Sequence, residues 1–246
     1  MYDFSGKVAL VTGGSRGIGA ASARLLAQGG ASVAITYSSS ADQADAVVAE
    51  ITKQGGKAIA IKSNASSPSE TEALVPAVVE AFGKLDILVN NAGVLYGGHV
   101  SEASDEDLQK TIAVNVEAVF RLSRAAAKVM PEGGRIVNIG SVMGERALTA
   151  GASVYVMSKF AVSGLTRGLA HDLAGQGITV NTVQPGPVDT TMNPADGDHA
   201  DAMTQMVPMG RYGQADEIAA AVAFLASDAA SYITGAKLNV DGGMNA

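Results

Sequence analysis

Seven short apolar runs separated by longer helical patterns constrain this chain more than any other feature. The runs lie at 7–11, 32–36, 58–62, 87–90, 135–140, 179–184 and 237–240. Most are continuous stretches of Val, Ile, Ala and Leu rather than alternating ones, as parallel strands covered on both faces require. Helical patterns fall near 17–28, 40–54, 68–83, 105–130, 153–175 and 214–227. Parallel neighbours need right-handed crossovers, so the expected architecture is an open, doubly wound α/β fold: a seven-stranded parallel sheet flanked by helices. No composition break interrupts the series, and one domain over 1–246 is expected. Ser38-Ser39-Ser40 and the stretch 63–68 read as short turns.

The segment 185–213 is the exception. It opens on Pro185-Gly186-Pro187, continues through Asn193-Pro194-Ala195-Asp196-Gly197-Asp198, and is too long for an ordinary connection. A lid over about 187–212 is expected, with a short helix carrying Met203 and Met206 whose thioethers either pack the lid down or meet a substrate.

Composition narrows the partners. With 47% hydrophobic residues the 246-residue chain can bury a large core. It has no apolar run near the ~20 residues that cross a bilayer, and its first residues lack the basic-then-apolar layout of a signal peptide. A net charge of −7 argues against nucleic acid, which needs a concentrated basic face. The absence of Cys excludes disulfides and thiolate metal sites and fits a reducing compartment. His99, His171 and His199 are far apart in sequence, without metal-ligand spacing, so no metal is expected, and none has the sequence context of a hydrolase triad. The expectation is a cytoplasmic protein with no membrane and no nucleic-acid partner.

The first apolar run leads into Thr12-Gly13-Gly14-Ser15-Arg16-Gly17-Ile18-Gly19 and then a helix. Glycines at 13, 17 and 19 allow a tight turn and close backbone approach to a pyrophosphate, and the helix N-terminus supplies free N–H groups and a positive dipole end. About 20 residues later, NAD binders place a carboxylate for the ribose 2′-hydroxyl. This chain has Thr36-Tyr37-Ser38-Ser39-Ser40 there, with no acid before Asp42. Arg16 can offer a guanidinium to a 2′-phosphate, with serine hydroxyls as further donors, so the cofactor expected is NADP(H) rather than NAD(H).

Farther along, Tyr155 and Lys159 stand four apart on one helix face, with Ser141 fourteen residues before the Tyr. A phenol of reference pKa about 10 is a poor acid–base catalyst near neutrality, and a fixed ammonium beside it is expected to draw that value down.

Together these motifs resemble the short-chain dehydrogenase/reductase family in its classical, Rossmann-type form. Thr12-Gly13-x-x-x-Gly17-x-Gly19 matches the family's cofactor loop, Asn90-Asn91-Ala92-Gly93 its strand-four motif, and Pro185-Gly186 its motif after strand six. Asn115, Ser141, Tyr155 and Lys159 match its catalytic tetrad, and the likeness to its 3-oxoacyl-ACP reductases and carbonyl reductases runs the whole length. The resemblance implies a reaction between a ketone and a secondary alcohol. Tyr155 would be the general acid/base, and Lys159 would hold the nicotinamide ribose. Ser141 would hydrogen-bond the substrate oxygen, and Asn115 would support a water relay behind Lys159. It also implies cofactor contacts from Ser15, Ile18, Tyr37 and Ser38, from Asn64 (also a turn former) and Ala65, and from Asn91, Ala92, Gly93 and Val188. A homotetramer with two-fold symmetry is implied too, through helices 105–130 and 153–175 and the C-terminal Val240-Asp241-Gly242-Gly243.

Two features depart from that simple reading. Relatives commonly have thirteen steps from the Ser to the Tyr and this chain has fourteen, the extra residue falling in 142–154, a segment expected to line the substrate cleft. The stretch Gln184 to Thr190 with Asn193-Pro194 also resembles family members that bind cyclic dinucleotides as biofilm regulators, which gives a non-enzyme alternative on the same fold.

Overall fold

A computed structural model describes residues 2–246. Seven strands, β1 (Val8–Val11), β2 (Ser32–Tyr37), β3 (Lys57–Lys62), β4 (Ile87–Asn90), β5 (Arg135–Ile139), β6 (Thr179–Pro185) and β7 (Lys237–Val240), form one sheet in the order β3-β2-β1-β4-β5-β6-β7. Every pairing is parallel. Each strand lies within one residue of its expected bounds, because runs buried on both faces announce themselves directly in sequence.

Side chains alternate across the sheet with the two-residue period of a strand. Ala9, Val11, Val33, Ile35, Val89 and Val137 face one layer, built by α1 (Gly17–Gln28), α2 (Ala41–Lys53) and α8 (Ala215–Ala226). Val8, Leu10, Ala34, Leu88, Ile136 and Val180 face the other, built by α3 (Pro68–Phe82), α5 (Ala118–Ala126) and α6 (Ser153–Ala174). The strand order reverses between β1 and β4, and that reversal opens a crevice beyond their carboxyl ends.

The expected helix at 105–130 is not continuous. α4 (Asp105–Ile112), started by Ser104 accepting from the Asp107 amide at 3.0 Å, gives way to a π turn at Ala113–Glu117 before α5, and α5 ends at Ala126. The π turn admits an extra residue and changes the helix phase, and Asn115 within it is buried. The short helix in the long connection is α7 (Ala200–Gln205), which carries Met203 but stops before Met206. A buried polar ladder fixes α6 to the sheet. Asn90 Nδ2 donates to Asn138 Oδ1 at 2.8 Å, Asn138 Nδ2 donates to Thr166 Oγ1 at 2.9 Å, and the Thr166 and Thr182 hydroxyls meet at 2.7 Å.

Candidate active site

The crevice is a cleft of about 490 Å³ running from the glycine turn to the α6 wall. At one end Gly13, Ser15, Arg16, Gly17 and Ile18 line it. Gly17 has φ +53°, a left-handed conformation open to glycine at little cost, and it begins α1, so the helix end that carries unpaired amides forms part of the cleft wall. Gly19 does not line the cleft; a Cβ there would run into the Gly13 carbonyl oxygen and the Asn91 side chain, so its glycine serves packing behind the turn. Arg16 is exposed and takes part in no ion pair among the described residues.

The turn is held from below. Thr12 Oγ1 accepts from the amides of Asn91 and Ala92, both at 3.0 Å, and Asn91 Nδ2 donates to the carbonyls of Thr12 at 2.8 Å and Gly13 at 3.1 Å. Thr36 Oγ1 accepts from the Gly13 amide at 3.0 Å. Asn91, Ala92 and Gly93 line the cleft, and so do Tyr37 and Ser38 after β2, with Ser39 and Ser40 beside them. Asn64 and Ala65 complete that side. Asn64 is also a turn former, since its Oδ1 accepts from the Ser66 amide at 3.0 Å. Among the described residues no carboxylate lines the cleft. Pro185, Gly186 and Val188 close it at the end of β6.

The α6 wall brings together Ser141, Tyr155 and Lys159. Gln184, fully buried, orders the first of these: its Oε1 accepts from the Ser141 amide at 2.8 Å and its Nε2 donates to Ser163 Oγ at 3.4 Å. Lys159 Nζ donates to the Ile139 carbonyl at 2.9 Å and lies 5.5 Å from the Tyr155 ring centroid. Burial lowers the Lys159 ammonium to a pKa of about 8. Tyr155 departs from expectation. Burial pushes its phenol above the ordinary value, and the neighbouring Ser141 hydroxyl acts in the opposite direction without prevailing. Desolvation penalises the phenolate more than the Ser141 hydrogen bond relieves it.

Asn115 does not reach the cleft. Its Oδ1 accepts from the Val94 amide at 2.9 Å, while its Nδ2 donates to the Val94 carbonyl and to Ser158 Oγ, both at 3.0 Å. Ser158 Oγ in turn donates to the Tyr155 carbonyl at 2.7 Å, so Asn115 ties the loop after β4 to the turn of α6 that carries Tyr155.

Other lining residues carry no motif. Met143 and Leu148 come from the segment between Ser141 and Tyr155, and Met244 comes from the C-terminal tail. Met203 lines the cleft and Met206 does not. Thr190 and Thr191, also on the wall, had a visible signal as paired hydroxyls just past a strand end. Met244 had none, because only tertiary folding carries the tail back over Val142.

A family model described as enoyl-(acyl carrier protein) reductase matches residues 13–245. The chain belongs to the short-chain dehydrogenase/reductase family. It is 43% identical to the cyclic-di-GMP-binding biofilm dispersal mediator protein of Escherichia coli K12, with 100% of both chains covered. It is 42% identical to a 3-oxoacyl-[acyl-carrier-protein] reductase of Synechocystis, with 99% of each covered. Among solved structures it superposes on a short-chain dehydrogenase from Burkholderia cenocepacia in complex with NADP at a TM-score of 0.97. That pair is 52% identical, over 98% of this chain and 99% of the other.

Proposed function

We propose that this chain is an NADP(H)-dependent oxidoreductase that interconverts a ketone and a secondary alcohol. The observation carrying this reading is the convergence of Ser141, Tyr155 and Lys159 on one wall of a cleft whose far end is a helix-opening glycine turn. When bound there, the nicotinamide would supply or accept the hydride. The Ser141 hydroxyl donates to the substrate oxygen, and the Tyr155 hydroxyl gives that oxygen its proton, or takes one from the alcohol. Lys159 is the cation beside them and a donor for the ribose, while Asn115 is a positioning residue that holds α6 against the loop after β4.

The cofactor end fits NADP(H). The α1 N-terminus accommodates a pyrophosphate. A 2′-phosphate at the end of β2 meets the serine hydroxyls and the unpaired Arg16 guanidinium, with no carboxylate among the lining residues to repel it. A charge-assisted contact contributes roughly 1.5–3 kcal/mol, which is ten- to a hundredfold in kcat/KM for NADPH over NADH. Following NADPH absorbance over a ketone panel tests the activity, and repeating it with NADH tests the preference. Arg16→Ala should shrink the ratio by weakening NADPH use, and Tyr37→Asp should reverse it. Equal or better efficiency with NADH in the unmodified chain would overturn the cofactor assignment and leave the oxidoreductase reading standing.

The E. coli relative favours a second reading, a cyclic-dinucleotide-binding regulator. It predicts nucleotide binding with no NADPH oxidation on any carbonyl compound.

A homotetramer belongs to the same proposal. Leu108 on α4, Phe120 on α5, and Met157 and Phe160 on α6 are all exposed, an apolar surface suited to pairing two copies. Light scattering should give a four-chain mass, and Phe120→Glu with Phe160→Glu should lower it. A single-chain mass for the unmodified protein would reject the assembly.

A further inference from the structure

The substrate half of the cleft and its rim have opposite characters. Leu95, Met143, Leu148, Met192, Met203 and Met244 form its walls, so four of the chain's nine methionines meet there. Thioether side chains are long, unbranched and polarisable, and they adapt to differently shaped apolar bodies. The charged residues lining the whole cleft are Arg16, at the cofactor end, and Lys159, committed to the α6 wall. No other cation lines the cleft among the described residues.

The segments that continue from these walls carry exposed acids. Asp189, Asp196, Asp198 and Asp201 stand exposed along the segment after β6, and Glu102, Asp105 and Glu106 stand exposed along the segment after β4. The first of these segments lines the cleft through Thr190 to Asn193 and again at Met203, with Asp196, Asp198 and Asp201 between those two stretches, and the second follows Leu95. The second is fastened to the substrate side by the Gly98 amide donating to the Gly151 carbonyl at 2.9 Å. Two cations near these segments are neutralised by carboxylates, and the exposed Arg146 keeps its charge. Lys110 pairs with Glu106 at 2.6 Å, Arg211 pairs with Glu217 at 2.7 Å, and Arg146 donates to the Met244 carbonyl.

From this we infer that the substrate is a free, uncharged ketone with a substantial apolar body, and that the acidic rim disfavours the same carbonyl group borne on a polyanionic carrier. The inference rests on the ketone reading and narrows it, separating this chain from relatives named for acyl-carrier-protein substrates. Like-signed fields at a cleft mouth lower the encounter rate, and salt screens them with a Debye length of about 10 Å at 0.1 M. An apolar ketone is indifferent to that field and gains from desolvation against the methionines.

The test compares one 3-oxoacyl group carried in two ways, as its neutral N-acetylcysteamine thioester and as its coenzyme A thioester. NADPH oxidation by the full-length protein is followed at low and at moderate ionic strength. The neutral thioester should show at least about tenfold higher kcat/KM at low salt. Added salt should raise the coenzyme A rate and leave the neutral one unchanged. The combined variant Asp196→Asn, Asp198→Asn, Asp201→Asn should narrow the ratio several-fold without changing use of the neutral thioester. Met203→Ala should raise KM for the neutral thioester and leave KM for NADPH in place. A coenzyme A thioester used as well or better at low salt, or slowed by added salt, overturns the inference while the ketone reading survives. Turnover of neither thioester, nor of any simple ketone, overturns both.

Discussion

Tyr155→Phe should lower kcat at least about a hundredfold while NADP(H) affinity stays within a few-fold of the unmodified protein. The substitution removes one hydroxyl and keeps the ring, so the α6 wall and its packing survive. A positioned general acid contributes roughly 10²–10⁴ in rate. In the structure burial raises the Tyr155 phenol, so near neutrality it holds its proton, the state needed to donate to a carbonyl oxygen. Single-turnover reduction with fluorescence titration of NADPH separates the two quantities. Retention of more than about a tenth of kcat, under ~1.4 kcal/mol of barrier, would remove Tyr155 from the chemistry.

Lys159→Met should abolish turnover, weaken NADPH binding and raise the melting temperature of the cofactor-free protein at pH 7. Lys159 is buried and its pKa is lowered to about 8. Against an unfolded value of about 10.4, that shift corresponds to a cost on the order of 3 kcal/mol for keeping the ammonium in place. Below pH 8 both native and unfolded chains hold the proton, and the cost is present in full. Between pH 8 and about 10.4 the unfolded chain binds more protons than the native one, so this group's contribution to stability improves as pH rises. Methionine fills the same volume without the charge but forfeits the bond to the Ile139 carbonyl. A net gain of about 1–3 kcal/mol, or roughly 2–10 °C, is therefore expected at pH 7, shrinking toward pH 10. A lower melting temperature at pH 7, at fixed protein concentration, would show that Lys159 is held at no cost.

The parts of the molecule legible in sequence share a physical cause. Strands buried on both faces are continuous apolar runs, so β1 to β7 could be placed almost to the residue. The glycine turn was legible because steric demand there admits little else. The interruption of 105–130 was not, since a π turn leaves the apolar pattern on either side intact and is held by Asn115 bonding to Val94, a contact made only on folding. Gln184 was read as part of a strand and never as the group ordering Ser141, because its partners lie 43 and 21 residues away. The nearness of Tyr155 and Lys159 was legible and the net direction of the Tyr155 shift was not, since spacing conveys proximity and says nothing of desolvation.

The strand order has a consequence for how the chain comes into being. β1 is made before the other six strands and lies inside the sheet, next to the central β4, with Val11 beside both Ile35 and Val89. At synthesis rates of ~5–20 residues per second, its second neighbour emerges roughly 4–16 s after the first strand is complete. In that interval a β1–β2 pair would present an open hydrophobic edge, the template onto which foreign strands add. Contacts of such long sequence separation also form slowly once the chain is released. A nascent chain stalled before β4 should therefore be a client for chaperones, and a permuted chain that begins at β4 and ends at β3 would place the same central pairing at a different moment of its synthesis.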